Sequence, residues 1–348
     1  MKIIVYGICK NESKNVKQFM DSIRDADGVY ICDTGSTDNT IELLQNEGAI
    51  VNKIKISPWD FSKARNKSLE FVPECDICIS LDLDEVMLKG WREGIERVWD
   101  KSITEINYQY VFNWEDKECT IPRLELVGFK IHARHGYSWK YPIHEIVSSD
   151  GEAKSVYTDE VVCYHYADIT KKRDYQKLLD KAIKDYPLEQ RFSHQRGREL
   201  MMYNKPKQAI KELKRHLSIT EAYGNEGIGQ TRSMSMRYIA RCLHSLGGSK
   251  DEILDWLLRA CGESPYTRES WIWLAQAWFD VGDYAQAYAC CMTGLRIKEK
   301  KLSIENEGCC WGDMPTQMAN KAFDLMMAKR EKNENKFRLR KMATKGVC

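Results

Sequence analysis

The chain has 348 residues, of which 43% are hydrophobic and 10% aromatic, ordinary values for a globular protein. This composition excludes wholesale disorder, and the length predicts about two domains. The net charge is only +2, but it is unevenly divided. Residues 1–168 hold 20 Lys and Arg against 29 Asp and Glu, whereas residues 169–348 hold 33 against 22. The first half is therefore predicted to concentrate cations, and the second either to hold an anionic partner or to balance its neighbour.

The cysteines and the N-terminus indicate a reducing compartment. The thirteen cysteines are odd in number, the chain is long, and it opens with Met1-Lys2-Ile3 rather than with a signal peptide. We therefore expect a cytoplasmic protein. No apolar run approaches the roughly 20 residues that a membrane span needs, so we expect no such span.

Strand and helix patterns alternate along the first half of the chain. This alternation predicts βαβ units and a mainly parallel sheet, hence an α/β fold. Because the carboxyl ends of parallel strands meet at one edge of a sheet, the polar loops that follow them should lie together. The predicted strands are residues 2–8, 29–33, 49–56 and 76–80, and the predicted helices are 13–23 and 38–46.

Two carboxylates follow the last of these strands. Asp82 and Asp84 stand at alternate positions of an extended segment, so their side chains point to the same face and would repel each other. A divalent cation resolves that conflict, and oxygen ligands suit Mg²⁺ or Mn²⁺. The motif is short, and the other interpretation is an acidic loop at a strand end.

Polar residues also follow the first two strands. Lys10, Asn11 and Glu12 come after the first, and Asp33 ends the second, two residues before Gly35. A turn does not require a carboxylate at Asp33, so we interpret it as a ligand group able to accept hydrogen bonds from a base or a ribose. Gly35 permits close approach of a ligand to the backbone.

Taken with their order, these motifs resemble the family 2 glycosyltransferases of the GT-A fold, a Rossmann-like α/β fold. A subgroup of that family carries appended tetratricopeptide-like helices. The resemblance rests on Cys9-Lys10-Asn11-Glu12-Ser13, Asp33-Thr34-Gly35-Ser36-Thr37-Asp38, Trp59-Asp60-Phe61-Ser62-Lys63-Ala64-Arg65-Asn66, Leu81-Asp82-Leu83-Asp84-Glu85 and Tyr141-Pro142-Ile143-His144-Glu145.

The resemblance implies a nucleotide-diphosphate sugar as donor. Glu12 and Asp33 would lie near the nucleoside, and Arg65 near the ribose or the phosphates. Asp84, with Asp82, would reach a Mn²⁺ or Mg²⁺ ion that bridges the diphosphate and stabilises the charge of the leaving group. The implied donor-binding residues are Lys10, Asn11, Glu12, Asp33, Arg65 and Asp82.

The reaction also requires a base, because an acceptor hydroxyl must lose its proton as it attacks the anomeric carbon from the opposite face. Glu145 is the candidate. His144 has two interpretations, a metal ligand or a residue that orients Glu145, and the pair could instead only hold a loop. His165 is a further possible metal ligand, although a lone histidine between tyrosines is more often structural. His132 is interpreted as an acceptor-side or a structural residue.

From residue 171 onward the pattern is helical. Residues 271–287 have the large and small alternation and the Gly-Asp-Tyr turn of a tetratricopeptide unit, and such units stack to bury their apolar faces. We expect the GT-A domain over residues 1–168 and the helical-repeat domain over 169–348. The predicted helices are 175–185, 192–203, 207–219, 234–246, 250–261, 268–281, 284–297 and 315–329, followed by a basic tail.

The sequence therefore predicts an inverting, metal-dependent glycosyltransferase whose acceptor is a hydroxyl or thiol of a protein, peptide, glycan or modified DNA base. The repeats would hold the acceptor. The basic tail is compatible with a nucleic acid, but no nucleic-acid-binding signature accompanies it, so that partner is not favoured. Two alternatives are an inactive binding scaffold, against which the intact Asp82, Asp84 and Glu145 argue, and a nucleotidyltransferase, whose phosphate loop is missing.

Overall fold

The computed structural model describes residues 1–114, 122–168, 175–219, 228–300 and 307–345. The chain divides into two compact units, and the division falls between Ala182 and Ile183, inside helix α5 (Gln176–Asp185). The predicted boundary at residue 168 adjoins residues 169–174, which lie outside the described ranges, so that boundary stays a prediction.

An eight-stranded sheet forms the core of the first unit. Its strand order is β3-β2-β1-β4-β7-β6-β10-β5, and six of its strands run in one direction while β5 and β7 run in the other. The predicted mainly parallel sheet is thereby confirmed. The strands are β1 (Ile3–Cys9), β2 (Gly28–Asp33), β3 (Ile50–Lys53), β4 (Ile77–Ser80), β5 (Glu85–Met87), β6 (Glu105–Trp114), β7 (Pro122–Ala133) and β10 (Ser155–His165).

The central strands are buried along their whole length and mostly apolar, as expected for a mainly parallel sheet whose two faces are covered by helices. Every residue of β1 and of β4 is buried. At Gly7, an added Cβ would lie 2.1 Å from the carbonyl oxygen of Leu81. Only glycine therefore allows the chain leaving β4 to pass this close to β1, and that passage delivers Asp82 and Asp84 to the carboxyl edge of the sheet.

Helices and a small hairpin complete the first unit. Helix α3 begins at an Asp60 cap, whose carboxylate accepts a 3.2 Å hydrogen bond from the Lys63 N–H. The hairpin of β8 and β9 forms a separate two-stranded sheet. These elements are α1 (Val16–Ser22), α2 (Thr40–Asn46), α3 (Phe61–Glu70), α4 (Trp91–Val98), β8 (Tyr137–Lys140) and β9 (Ile146–Ser149).

The second unit is helical, as predicted, and its helices pack as successive hairpins: α6 with α7, α8 with α9, and α10 with α11. The predicted Gly-Asp turn joins the last pair. Gly282 has a φ of 82°, and Asp283 caps α11 through the Gln286 N–H. The helices are α6 (Gln190–Met202), α7 (Pro206–Ser218), α8 (Ile228–Ser245), α9 (Lys250–Glu263), α10 (Arg268–Val281), α11 (Tyr284–Arg296) and α12 (Met314–Lys345).

The described residues contain neither a helix suited to a membrane span nor a disulfide. No described helix combines the length and the hydropathy needed to cross a bilayer. The eleven cysteines of the described ranges are free thiols. The predicted cytoplasmic location is untested by these observations and stays a prediction.

Candidate active site

The loops after β1 and β2 are hydrogen-bonded to each other at the carboxyl edge of the sheet. Asn11 has a φ of 55°, its N–H donates to Ser36 Oγ at 2.9 Å, and its Oδ1 accepts the Thr37 N–H at 2.7 Å. The Glu12 N–H donates to Thr40 Oγ1 at 2.9 Å. The structure thus brings together two of the three predicted loops, and Asn11 is one of the residues that join them.

Asp33 is used by the turn itself. Its side chain accepts hydrogen bonds from the Gly35 N–H at 2.9 Å and from the Ser36 N–H at 3.0 Å, and the residue is 2% exposed. The interpretation that the turn does not need this carboxylate is therefore wrong. The same two bonds hold the loop that bears Gly35, so a ligand role for Asp33 stays a prediction with a structural role beside it.

Lys10 and Glu12 stand on either side of Asn11. Lys10 is exposed, and Glu12 is half-buried, with Oε2 accepting a 2.8 Å hydrogen bond from Asn15 Nδ2. Their predicted contacts with a nucleotide stay predictions. Their position at the carboxyl ends of parallel strands is where α/β sheets bind ligands.

Arg65 is the centre of the site. Its Nε donates to Glu145 Oε1 at 2.7 Å, and its Nη2 donates to Asp82 Oδ2 at 3.0 Å. Nη1 lies 2.9 Å from Asp82 Oδ1, an ion-pair contact without hydrogen-bond geometry. Burial alone would lower the pKa of Arg65, but the two carboxylates outweigh it and raise that pKa. Arg65 therefore links two carboxylates that stand 63 residues apart in sequence.

Helix α3 and the hairpin strand β8 hold Arg65 in place. The Phe61 N–H donates to the Pro142 carbonyl at 3.0 Å. Asn66 pairs with the backbone of Trp139 in both directions, accepting at 2.7 Å and donating at 2.8 Å. The Arg65 guanidinium lies over the Trp139 ring, 4.8 Å from its centroid. The motif around Arg65 and the motif that ends at residue 145 are therefore joined by hydrogen bonds and by this stacking contact.

The loop that carries Glu145 has unusual backbone. Tyr141 has a φ of 78° and His144 a φ of 48°, left-handed values that cost energy for residues other than glycine and that cluster at functional sites. His144 is exposed, and its ring lies edge-on to Tyr175, with 6.4 Å between centroids. The Glu145 carboxylate is held by Arg65. Neither predicted role of His144 is tested by these contacts.

Asp82 is neutralised by basic side chains. Besides Arg65, Lys130 Nζ lies 3.6 Å from Asp82 Oδ2. Burial raises the pKa of Asp82, but Arg65 and Lys130 outweigh it and hold that pKa well below its usual range. The repulsion that led us to expect a cation between Asp82 and Asp84 is therefore relieved, at Asp82, by protein cations. A metal-binding role for Asp82 stays a prediction.

Asp84 pairs with His165 on the neighbouring strand. Asp84 Oδ2 lies 3.4 Å from His165 Nε2, and both residues are less than a tenth exposed. His165 Nδ1 lies 3.2 Å from the Phe112 carbonyl, which can only accept, so Nδ1 carries a hydrogen. Burial lowers the pKa of His165, but the hydrogen bond to Asp84 and the charge of Asp84 outweigh it and raise that pKa, so a proton is favoured between the two side chains. This arrangement favours a cation between the two groups, and metal-bound histidines typically donate their other N–H to a carbonyl.

The charges of the site also fit a divalent cation. If a metal ion takes the place of the proton on His165 Nε2, two basic side chains face four carboxylates, which leaves two negative charges for the ion to balance. The three predicted ligands Asp82, Asp84 and His165 form no complete metal cluster within the described ranges. Asp84, with His165 beside it, fits the ion, since Mg²⁺ is usually held by one or two carboxylates and by substrate phosphates. The charged groups are Arg65, Lys130, Asp82, Asp84, Glu85 and Glu145.

His132 has a structural position. It is fully buried in β7, with Nε2 2.9 Å from Tyr6 Oη and Nδ1 2.8 Å from the Ala133 carbonyl. Tyr6 Oη in turn accepts a 2.8 Å hydrogen bond from Trp139 Nε1. Through Tyr6, His132 thus helps to hold the Trp139 ring on which Arg65 stacks.

Sequence reasoning missed Lys130. Lys130 is 19% exposed at its side chain and lies within reach of two carboxylates, yet nothing in its local sequence distinguishes it from a surface lysine. Alternation along β7 offered no signal either, because it would bury Phe129 and Ile131 and expose Lys130, whereas Phe129 is exposed in the structure.

No family model and no curated protein matches this sequence. Among solved structures, MamA is similar over 45% of this chain and 89% of its own, with 17% identity and a TM-score of 0.31. The APC/C hetero-tetramer Cut9-Hcn1 matches 42% of this chain and 26% of its own, with 11% identity and a TM-score of 0.34. Glucosyl-3-phosphoglycerate synthase from Mycobacterium tuberculosis, in complex with Mg²⁺ and uridine-diphosphate, matches 31% of this chain and 43% of its own, with 22% identity and a TM-score of 0.28. These scores are low and the coverage is partial, so none of the likenesses establishes an activity.

Proposed function

We propose that this chain is an inverting, metal-dependent glycosyltransferase that moves a sugar from a nucleotide-diphosphate sugar to an acceptor hydroxyl or thiol. One observation carries the proposal. At the carboxyl edge of a mainly parallel sheet, Arg65 joins Glu145 to Asp82, while Asp84 of the same short loop faces His165. A carboxylate suited to accept a proton and a pair suited to a cation thus belong to one connected assembly.

Glu145 is the proposed general base. Arg65 occupies Oε1, and Oε2 accepts no hydrogen bond from the residues that the structure describes, so this second oxygen is able to take a proton. As the acceptor oxygen forms its bond to the anomeric carbon, its proton passes to Glu145. The bond from that carbon to the diphosphate oxygen breaks, and its electron pair leaves with the diphosphate.

Asp84 and His165 would hold the divalent cation. Mg²⁺ or Mn²⁺, when bound, supplies positive charge that stabilises the departing diphosphate. Asp82 takes a different role in this proposal. Its contacts to Arg65 and Lys130 fix the start of the loop from which Asp84 projects.

The loops after β1 and β2 would receive the nucleoside part of the donor. Asn11 and Asp33 hold these loops through backbone hydrogen bonds. Lys10 and Glu12, at the same edge, are the proposed side-chain contacts. Arg65 is buried and bonded to two carboxylates, so we propose that it positions Asp82 and Glu145. Its predicted contact with the ribose or the phosphates stays a prediction.

The helical unit would hold the acceptor. A groove between α8, α9 and α10 is lined by Arg241, His244 and Lys250, by the acidic Asp280, and by apolar side chains that include Trp273. Because the basic residues outnumber the acidic one, this lining suits an acidic peptide or an anionic glycan. A nucleic acid acceptor remains the less favoured alternative.

The competing proposal is a catalytically inactive scaffold that binds partners through its helices. The two are separated by measuring the release of nucleoside diphosphate from a panel of nucleotide sugars, with Mn²⁺ and with EDTA. We expect slow, Mn²⁺-dependent release from one donor, because transferases of this kind also use water as a poor acceptor. Release from none of them, with or without a candidate acceptor, supports the scaffold.

A further inference from the structure

A fully buried carboxylate lies beneath the loop that carries Asp82 and Asp84. Glu85, at the start of β5, is 1% exposed. Its Oε1 accepts hydrogen bonds from Tyr110 Oη and from Lys130 Nζ, both at 2.6 Å, and its Oε2 accepts the Asp82 N–H at 2.9 Å. A buried carboxylate needs such partners, and here one of them is the backbone of the proposed site.

Glu85 is also tied to the side of the site that carries His165. In the antiparallel pairing of β5 with β10, Glu85 stands opposite His165, and the next residue, Tyr166, donates its N–H to the Asp84 carbonyl at 2.8 Å. The Tyr110 ring stacks on the His165 ring, with centroids 6.1 Å apart and planes 23° apart. Glu85 is therefore linked, directly or through one residue, to both Asp84 and His165.

We infer that Glu85 is a positioning residue for the cation pair. With Lys130 and Tyr110 it forms a buried clamp that fixes the backbone at Asp82, so that Asp84 and His165 are held at the spacing a divalent ion requires. This inference rests on the proposed function. It adds that cation affinity depends on three side chains that would never touch the ion.

Loss of the Glu85 charge should rearrange the clamp. In Glu85→Gln, Lys130 keeps Asp82 as its acidic partner and is drawn toward it, in competition with Arg65. The Asp82 backbone then shifts and carries Asp84 with it. Substitution of such outer groups around metal ligands typically costs 10- to 100-fold in metal affinity, and we expect a loss in that range.

The test is a titration of the full-length chain with Mn²⁺ alone, followed by the electron paramagnetic resonance signal of the free ion. Glu85→Gln is compared with wild type and with Glu269→Gln, which removes the charge of another carboxylate, 2% exposed and bonded to the Glu307 N–H and to Trp311 Nε1. We expect weaker Mn²⁺ binding in Glu85→Gln and unchanged binding in Glu269→Gln. The thermal midpoint of each variant in EDTA separates this effect from unfolding.

The outcomes distinguish the inference from the proposed function. If wild type binds no Mn²⁺, the metal-dependent function is contradicted and the inference with it. If wild type and Glu85→Gln bind Mn²⁺ equally, the inference is overturned while the function stands. Should Glu85→Gln fail to fold, Lys130→Met removes the other half of the charge pair. Loss of that positive charge alone would strengthen Mn²⁺ binding, so weaker binding in Lys130→Met supports the clamp, and unchanged or stronger binding overturns the inference.

Discussion

Arg65 Nε donates a 2.7 Å hydrogen bond to Glu145 Oε1, across 80 residues of sequence. The same guanidinium binds Asp82, and Asp82 stands two residues before Asp84. The proposed base and the proposed cation pair are consequently linked through one buried side chain. A change at Arg65 is expected to disturb both, whereas a change at Glu145 or at Asp84 alone should separate proton transfer from cation binding.

Glu145→Gln is expected to remove transfer while sparing donor binding. Glutamine keeps an oxygen for Arg65 but cannot take the acceptor proton, and general bases contribute roughly 10²- to 10⁴-fold to rate. The turnover number should fall in that range with little change in the dissociation constant of the donor, measured by calorimetry. The exposed Glu152→Gln serves as control. Equal loss of turnover and of donor binding in Glu145→Gln would make Glu145 a structural residue.

Asp84→Asn is expected to abolish the effect of Mn²⁺ on nucleotide binding. The amide preserves the size of the side chain and leaves the backbone bond from Tyr166 to Asp84 in place, but it lacks the charge that attracts the ion. Calorimetric titration of the nucleotide with and without Mn²⁺ measures the effect. A variant that retains full metal dependence would end the assignment of Asp84 as a ligand.

Arg65→Met is expected to destabilise the first unit by about 3 to 5 kcal/mol, the usual cost of removing one partner from a buried ion pair. Methionine still packs against Trp139, so the loss reports mainly on the uncompensated Glu145 and Asp82. Urea unfolding gives the free energy directly. Arg24→Met is the control, because Arg24 forms an exposed pair with Asp21, and such surface pairs contribute little to stability. A similar small loss for both variants would contradict the central position of Arg65.

The first unit is expected to become less stable as the pH decreases, because of His132. Burial, the largest cause, lowers the pKa of His132 from 6.5 to about 4, despite the opposing hydrogen bond to the Ala133 carbonyl. Between these values the unfolded chain binds a proton that the folded chain does not. The free energy of unfolding is therefore highest above pH 6.5 and decreases by up to about 3 kcal/mol as the pH falls to 4.

His132→Gln tests this assignment. Glutamine offers a donor and an acceptor but does not titrate. The slope of unfolding free energy against pH should therefore decrease, in this interval, by the amount that corresponds to one bound proton. His216 in the second unit, whose pKa burial also lowers to about 4, is left intact as an internal comparison. An unchanged slope in the variant would show that His132 is not the group that titrates.

Helices and strands that a local sequence pattern determines were predictable. The predicted strand 76–80 corresponds to β4 (Ile77–Ser80), and the predicted helix 268–281 is α10 (Arg268–Val281), because apolar periodicity and turn residues fix such segments locally. The basic tail was less well predicted, since α12 continues to Lys345. Charged residues carry little periodicity, so nothing in the pattern marks where that helix ends.

The pairings within the candidate site were not predictable. Local sequence states neither that Lys130 reaches Glu85 nor that Arg65 joins Glu145 to Asp82, because these contacts depend on the order of strands in the sheet. The antiparallel strands β5 and β7, which bring Glu85 and Lys130 under the site, insert into an otherwise parallel pattern. At Asp33 the error is the opposite one. The sequence suggested a residue that contacts a ligand, whereas the Asp33 carboxylate accepts hydrogen bonds from its own turn.

The most direct test of the central claim is a thermal-shift titration of the purified chain with a panel of nucleoside diphosphates and nucleotide sugars, in Mn²⁺, in Mg²⁺ and in EDTA. A ligand that binds only the folded state raises the unfolding temperature. The glycosyltransferase assignment predicts stabilisation by one nucleotide family, present with Mn²⁺ or Mg²⁺ and lost in EDTA. No stabilisation by any nucleotide under any of these conditions would contradict it and favour the scaffold.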